Sequence, residues 1–162
     1  STGGFTDCCL QRGAAHVTCI DVGRAQLHDK IRRDPRIENR EGVNARFLDT
    51  STLPHPAYDV VVMDLSFISL TSVLPAVWLA LRPGGSLVCL IKPQFEVGRK
   101  DADRFHGVIR DENLRSAVVE KIRSFARENL AGSCEIGLCT SPIQGAEGNV
   151  EFLLGLFRQE IT

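Results

Sequence analysis

Apolar and polar positions alternate in blocks along the chain, and the blocks change period. His16-Val-Thr-Cys-Ile20 is a short apolar run that ends at Asp21, and it predicts a strand. Gly23 to Arg33 predicts a helix stopped by Asp34-Pro35, and Val43 to Leu48 a weak strand. Tyr58 to Met63 is the strongest strand signal, a β-branched run of Val60, Val61 and Val62. Ser69 to Leu81 predicts an apolar helix ended by Arg82-Pro-Gly-Gly85, and Ser86 to Ile91 a buried strand. Pro93 to Gly107 reads as a polar loop, long enough to be a functional lid. Asp111 to Asn129 predicts a long amphipathic helix with Asp111 as its N-cap.

The tail changes character. Ser133 to Thr140 and Asn149 to Phe157 are two strand-like runs joined by Ser141 to Gly148, with no helix between them. Strands joined without a crossover helix pair antiparallel. The predicted fold is therefore α/β: a mostly parallel, doubly wound sheet that ends in an antiparallel hairpin.

The beginning departs from that scheme. A doubly wound sheet opens with a strand, then a glycine turn, then a helix. Ser1-Thr-Gly-Gly-Phe5 is already the turn and Thr6 to Gly13 the helix. The first strand has no counterpart, and residues 1–162 read as one domain cut from a longer protein. The chain length fits a single domain.

Charge and cysteines narrow the picture. The net charge of −1 means that bulk charge does not hold a nucleic acid. Local basic runs remain: Arg24 to Arg36, and Arg99, Lys100 and Arg104 in the loop. The loop group is the better phosphate-binding candidate, because it adjoins Lys92. None of the six cysteines forms a C-x-x-C pair, so no metal site is expected. Cys19 and Cys89 read as buried, reduced thiols of a cytoplasmic protein.

Several segments carry candidate chemistry. Gly3 and Gly4 let a backbone approach a ligand, and the helix that follows offers N–H groups to an anion. Asp21 ends the next strand, ~20 residues after the turn, where an acidic residue meets a ribose; a plain turn or cap is the competing reading. Asp64 and Lys92 each follow an apolar strand, at the end where open α/β sheets bind ligands. Glu151 lies among apolar neighbours and calls for a cationic partner, with Glu147 as the looser alternative.

Four motifs occur in order: Ser1-Thr-Gly-Gly-Phe-Thr-Asp7, Met63-Asp-Leu-Ser-Phe-Ile-Ser-Leu70, Leu90-Ile-Lys-Pro-Gln-Phe-Glu96 and Gly148-Asn-Val-Glu-Phe-Leu153. Together they resemble the TlyA (hemolysin A) branch of the FtsJ-like ribosomal RNA methyltransferases, with Met63 where that pattern has Val. The resemblance implies a Rossmann-like class I methyltransferase fold. It further implies S-adenosyl-L-methionine as cofactor and 2′-O-methylation of a ribose, that of cytidine, in ribosomal RNA or a ribosomal subunit. Of that family's Lys-Asp-Lys-Glu tetrad it places Asp64, Lys92 and Glu151; the first Lys, the Asp-x-Gly before the glycine turn and the S4-type RNA-binding domain have no match here. It implies a cofactor cradle of Gly3, Gly4, Phe5, Asp21, Asn44, Ala45, Asp64 and Leu65. Phe95 and Phe105 are candidates to stack on a base. Two other readings stay open: a membrane-active haemolysin, and a non-catalytic RNA-binding remnant of the fold.

Overall fold

The computed structural model describes residues 2–98 and 107–160. The chain forms two compact units, Ser1–Pro54 and His55–Thr162. Strands β1 (Val17–Asp21) and β2 (Ile37–Glu41) of the first unit pair in parallel. Helix α1 (Gly4–Gln11) precedes them, and the one-turn helix α2 (Asp29–Arg32) connects them.

Two expectations fail here. The helix predicted over Gly23 to Arg33 is only α2; the residues before it form turns. Asp21 Oδ1 accepts from Gly23 N at 2.8 Å, Ala25 has a left-handed backbone, and Glu41 Oε1 accepts from Ala25 N at 3.0 Å. These local bonds compete with helix formation. The strand predicted at Val43 to Leu48 instead lies earlier, in the polar stretch Ile37–Glu41, because parallel pairing with β1 overrides its polarity. Asn44 then caps a 3-10 turn at Ala45–Phe47. In the Arg24 to Arg36 basic run, Arg32 pairs with Asp29 and Arg36 with Asp34, both at 2.7 Å, so part of its charge is neutralised locally.

The second unit holds a four-stranded sheet in the order β3-β4-β6-β5: β3 (Tyr58–Met63), β4 (Leu81–Ile91), β5 (Ser133–Thr140) and β6 (Phe152–Arg158). Strands β3 and β4 run parallel, while β6 is antiparallel to both β4 and β5. The expected closing hairpin is therefore present. Its second strand begins at Phe152 rather than Asn149, which leaves Glu151 at the strand's mouth, where its carbonyl accepts from Ser141 N at 2.8 Å.

The helix predicted from Ser69 to Leu81 is split into a 3-10 turn at Leu70–Ser72 and helix α3 (Leu74–Trp78). Pro75 is the cause: it is accepted in a first turn but not in a helix interior. Arg82-Pro-Gly-Gly85, expected to stop that helix ahead of a strand at Ser86, instead lies within β4 as an irregularity, where pairing jumps from Tyr58–Leu81 to Val60–Ser86. The segment expected to be a polar loop from Pro93 opens with a helical turn, α4 (Pro93–Glu96). Helix α5 (Glu112–Asn129) agrees closely with expectation, and the Asp111 carboxylate accepts from Asn113 N and Leu114 N.

The core of this unit is made by Leu74, Val77 and Trp78 of α3, Leu87, Cys89 and Ile91 of β4, Val118 and Ile122 of α5, and Leu154 and Leu156 of β6. Alternate residues of β4 are buried, as a pleated strand with one covered face requires. Trp78 is core, with Nε1 donating to the Ala131 carbonyl at 3.0 Å. Cys89 is buried as expected; Cys19 is only partly so, and Cys134 and Cys139 are exposed. All six cysteines are free.

Candidate active site

In the first unit, Gly3 stands at the N-cap of α1 with φ 101°, and no side chain caps the helix. A Cβ on Gly3 would lie 2.6 Å from Leu27 Cδ1 and 2.9 Å from Ile31 Cδ1, so packing alone demands glycine there. Gly4 differs: nothing lies within 4 Å of its Cβ position. The backbone beside it is open to a ligand, and the amides of the first helical turn suit an anionic group. Phe5 is partly exposed next to it. Asp21 ends β1 as expected, but its carboxylate holds the Gly23 turn, which is the competing reading of that residue. Asn44 Oδ1 accepts from Arg46 N at 3.0 Å, and Ala45 begins the 3-10 turn that this bond caps.

In the second unit the carboxyl ends of two adjacent parallel strands bring Asp64 and Lys92 together. Asp64 follows β3 and Lys92 follows β4. Lys92 Nζ lies 2.7 Å from Asp64 Oδ1 and donates to Ser66 Oγ at 3.2 Å. The lysine side chain is 13% exposed and the aspartate 41%, so the pair sits at a surface with the ammonium recessed. Leu65 is half-buried between Asp64 and the exposed Ser66.

Phe67 is the anomaly of this segment. It is 89% exposed and has φ 64°, a left-handed backbone that a bulky residue avoids. Its ring packs against Phe95 with centroids 4.9 Å apart, and Lys92 Nζ lies 6.0 Å from the Phe95 ring. An exposed aromatic held in a strained backbone beside an ion pair is a feature of functional sites.

Glu151 is 5% exposed, yet the expected cationic partner is not what it meets. Gln94 Nε2 donates to Glu151 Oε1 at 3.0 Å. Gly145 leaves room for the carboxylate, and a Cβ there would run into it. Glu147 lies in an exposed turn with φ 56°. The structure thus joins Asp64, Ser66 and Lys92 directly, and ties Glu151 to α4, the helix that starts after Lys92. Arg99, Lys100, Arg104 and Phe105 lie outside the described residues. Among the described residues no group of His, Cys, Asp and Glu could hold a metal ion.

Sequence reasoning passed over Phe67, Gln94 and Glu96. Glu96 is 6% exposed; its carboxylate accepts from Ser69 Oγ at 2.5 Å and Leu70 N at 2.6 Å. The signal available was position: all three sit within the motifs that carry Asp64 and Lys92.

Over 159 residues the chain is 44% identical to the 16S/23S rRNA (cytidine-2′-O)-methyltransferase TlyA of Mycobacterium tuberculosis, covering 98% of this chain and 58% of that protein. It is 40% identical over 153 residues to Hemolysin A of Brachyspira hyodysenteriae, covering 94% of this chain and 62% of that one. The chain spans little more than half the length of these curated relatives. A solved structure from Lactococcus lactis, named provisionally as a hemolysin, superposes with a TM-score of 0.92 at 41% identity, over 98% of this chain and 74% of that chain. The N-methyltransferase NodS from Bradyrhizobium japonicum, solved with S-adenosyl-L-homocysteine, shares the fold at a TM-score of 0.60 and 17% identity, over 98% of this chain and 74% of that one. The family model for FtsJ-like methyltransferases matches residues 1–158, and the chain belongs to that family.

Proposed function

We propose that this chain carries out S-adenosyl-L-methionine-dependent 2′-O-methylation of a ribose, that of a cytidine, in ribosomal RNA. The observation that carries the reading is the recessed Lys92 ammonium, 2.7 Å from Asp64 and 6.0 Å from the Phe95 ring on which the exposed Phe67 packs, in a member of the FtsJ-like family. The nucleotide comes from the TlyA relative, whose name specifies cytidine in 16S and 23S rRNA.

When bound, S-adenosyl-L-methionine supplies an electrophilic sulfonium methyl. The open backbone at Gly4 and the uncapped start of α1 suit its carboxylate, and Phe5, Asp21, Asn44 and Ala45 complete the residues assigned to it in the first unit.

The residues around Lys92 act on the other reactant. A ribose hydroxyl is a weak nucleophile that gains negative charge as its proton leaves. Lys92, held 2.7 Å from Asp64, offers hydrogen-bond donors to the 2′-oxygen and stabilises that charge. Asp64, partly exposed, takes the proton and returns it to solvent. Glu151, buried and held by Gln94, orients the ribose. Phe67 and Phe95 offer ring faces to an unstacked base. With the methyl already activated, positioning carries much of the barrier reduction. Arg99, Lys100 and Arg104 are assigned to RNA phosphates.

The hemolysin name of one relative raises a membrane alternative. No described helix is long and apolar enough to cross a membrane. The deciding experiment incubates the intact gene product with ribosomal RNA and methyl-labelled S-adenosyl-L-methionine, then digests the RNA to nucleosides. Label in 2′-O-methylcytidine is expected. Absence of label, together with absence of cofactor binding by calorimetry, sinks the proposal.

A further inference from the structure

We propose that α4 is a clamp, with Gln94 and Glu96 as positioning residues that fix two segments relative to Lys92: the one carrying Glu151 and the one carrying Asp64. This rests on the reading of Lys92, Asp64 and Glu151 as the residues of methyl transfer.

The helix is one turn long and starts directly after Lys92, with Pro93 fixing the direction of the chain. Residues two apart on a helix point to different sides. Gln94 and Glu96 therefore reach different neighbours, and each neighbour carries part of the site. Gln94 reaches back to Glu151, 57 residues on in the chain. Glu96 reaches Ser69 and Leu70, where the segment beginning at Asp64 ends.

Glu96 has the environment of a fixed anchor. Its side chain is 2% exposed, and a buried carboxylate is costly unless its lone pairs are satisfied. Ser69 Oγ and Leu70 N both donate to it, and Lys121 Nζ of α5 lies 3.5 Å from Oε2. The same ammonium donates to the Glu96 carbonyl at 2.9 Å, so α5 braces the end of the turn. The segment Asp64–Ser69 is thereby held at both ends, by β3 and by Glu96. That explains how Phe67 keeps a left-handed backbone: such strain persists where the surroundings over-determine it.

Gln94 is oriented by its partner. Its Nε2 faces the carboxylate, and its buried Oε1 has no hydrogen-bond partner among the described residues. Turning the amide over would set oxygen against oxygen. The side chain therefore carries an unpaired acceptor in order to hold Glu151, which fits a positioning role better than a packing one.

The test uses the intact gene product with Glu96→Gln, Ser69→Ala, Gln94→Ala and Gln94→Glu. In Glu96→Gln and Ser69→Ala, kcat should fall about tenfold or more with KM for S-adenosyl-L-methionine little changed. The Leu70 amide should also lose hydrogen-exchange protection in Glu96→Gln. Gln94→Ala should lose kcat at every pH. In Gln94→Glu two carboxylates share the site, and one takes up a proton more readily than usual. The protonated acid then donates to Glu151 as the amide does. Its kcat relative to wild type should therefore rise as pH falls, the other charges nearby being Lys92, Asp64, Glu96 and Lys121. The clamp is overturned by kcat within twofold of wild type in Glu96→Gln and Gln94→Ala, or by a flat Gln94→Glu ratio across pH. Wild-type protein that transfers no methyl removes the functional reading instead. Leu70 exchange then still judges the clamp, and unchanged protection in Glu96→Gln overturns it.

Discussion

Lys92 Nζ lies 2.7 Å from Asp64 Oδ1 because the two residues directly follow neighbouring parallel strands whose pairing runs up to Met63 and Cys89. Removing the ammonium should remove stabilisation that exists only as the 2′-oxygen becomes anionic. Lys92→Ala should lower kcat by about 100-fold or more, with S-adenosyl-L-methionine affinity by calorimetry nearly unchanged. Lys92→Arg should recover little, since a planar guanidinium does not replace a compact ammonium in a recessed position. Methyl transfer by Lys92→Ala at the wild-type rate would remove Lys92 from the reaction.

That juxtaposition was legible from sequence because it needs only two facts, both local. An apolar strand ends at Asp64, another ends at Lys92, and strands that follow one another through a helix pair in parallel. The α5 helix, its Asp111 cap and the closing hairpin were readable for the same reason. Strand β2 was not: Ile37-Glu-Asn-Arg-Glu41 has no apolar face, and only the β1 backbone beside it makes it a strand. The break at Pro75 is masked by the apolar run on both sides of it, which has the composition of one continuous helix although the proline must stand in a first turn. The roles of Gln94 and Glu96 depend on burial and on partners 57 and 26 to 27 residues distant, which no local pattern encodes.

Gly3 and Gly4 should behave differently although they are adjacent. Gly3→Ala puts a methyl against Leu27 and Ile31 in a left-handed backbone, and should destabilise by about 1–3 kcal/mol. Gly4→Ala enters open space and should leave stability within about 0.5 kcal/mol, while weakening cofactor binding. Thermal unfolding by circular dichroism and calorimetric titration separate the two effects. Equal melting temperatures for the two variants would contradict the geometry.

Asn149 should be costly to replace. It is 3% exposed, donates from Nδ2 to the Gly107 and Ala146 carbonyls at 2.9 and 3.1 Å, and accepts from Ile109 N at 3.0 Å. Asn149→Ala leaves the Ile109 N–H buried without this acceptor and removes the side-chain bonds to the Gly107 and Ala146 carbonyls, and should cost about 1–3 kcal/mol. Asn149→Asp keeps the Ile109 bond but sets a carboxylate oxygen against two carbonyls, so it should not rescue. Urea unfolding followed by the fluorescence of Trp78 measures both, and a midpoint shift near zero for Asn149→Ala would refute the network.

Cys89 should make the protein weaken in alkali. Burial, with a smaller contribution from the Glu96 charge, pushes its thiol up to about 12 from an ordinary value of 9.0. The folded state therefore keeps a proton that the unfolded chain gives up. Between those values the unfolded state binds fewer protons, so stability falls as pH rises, at about 1 kcal/mol per pH unit from this group. Below pH 9 the thiol is protonated in both states and its contribution is level. Cys89→Ala loses some stability at neutral pH through the cavity it leaves, but it should flatten the decline between pH 9 and 11. Denaturant midpoints of both proteins across that range test the assignment. A parallel decline in the two would trace the alkaline loss to other groups, and rapid labelling of Cys89 by a thiol reagent in the native state would contradict its burial.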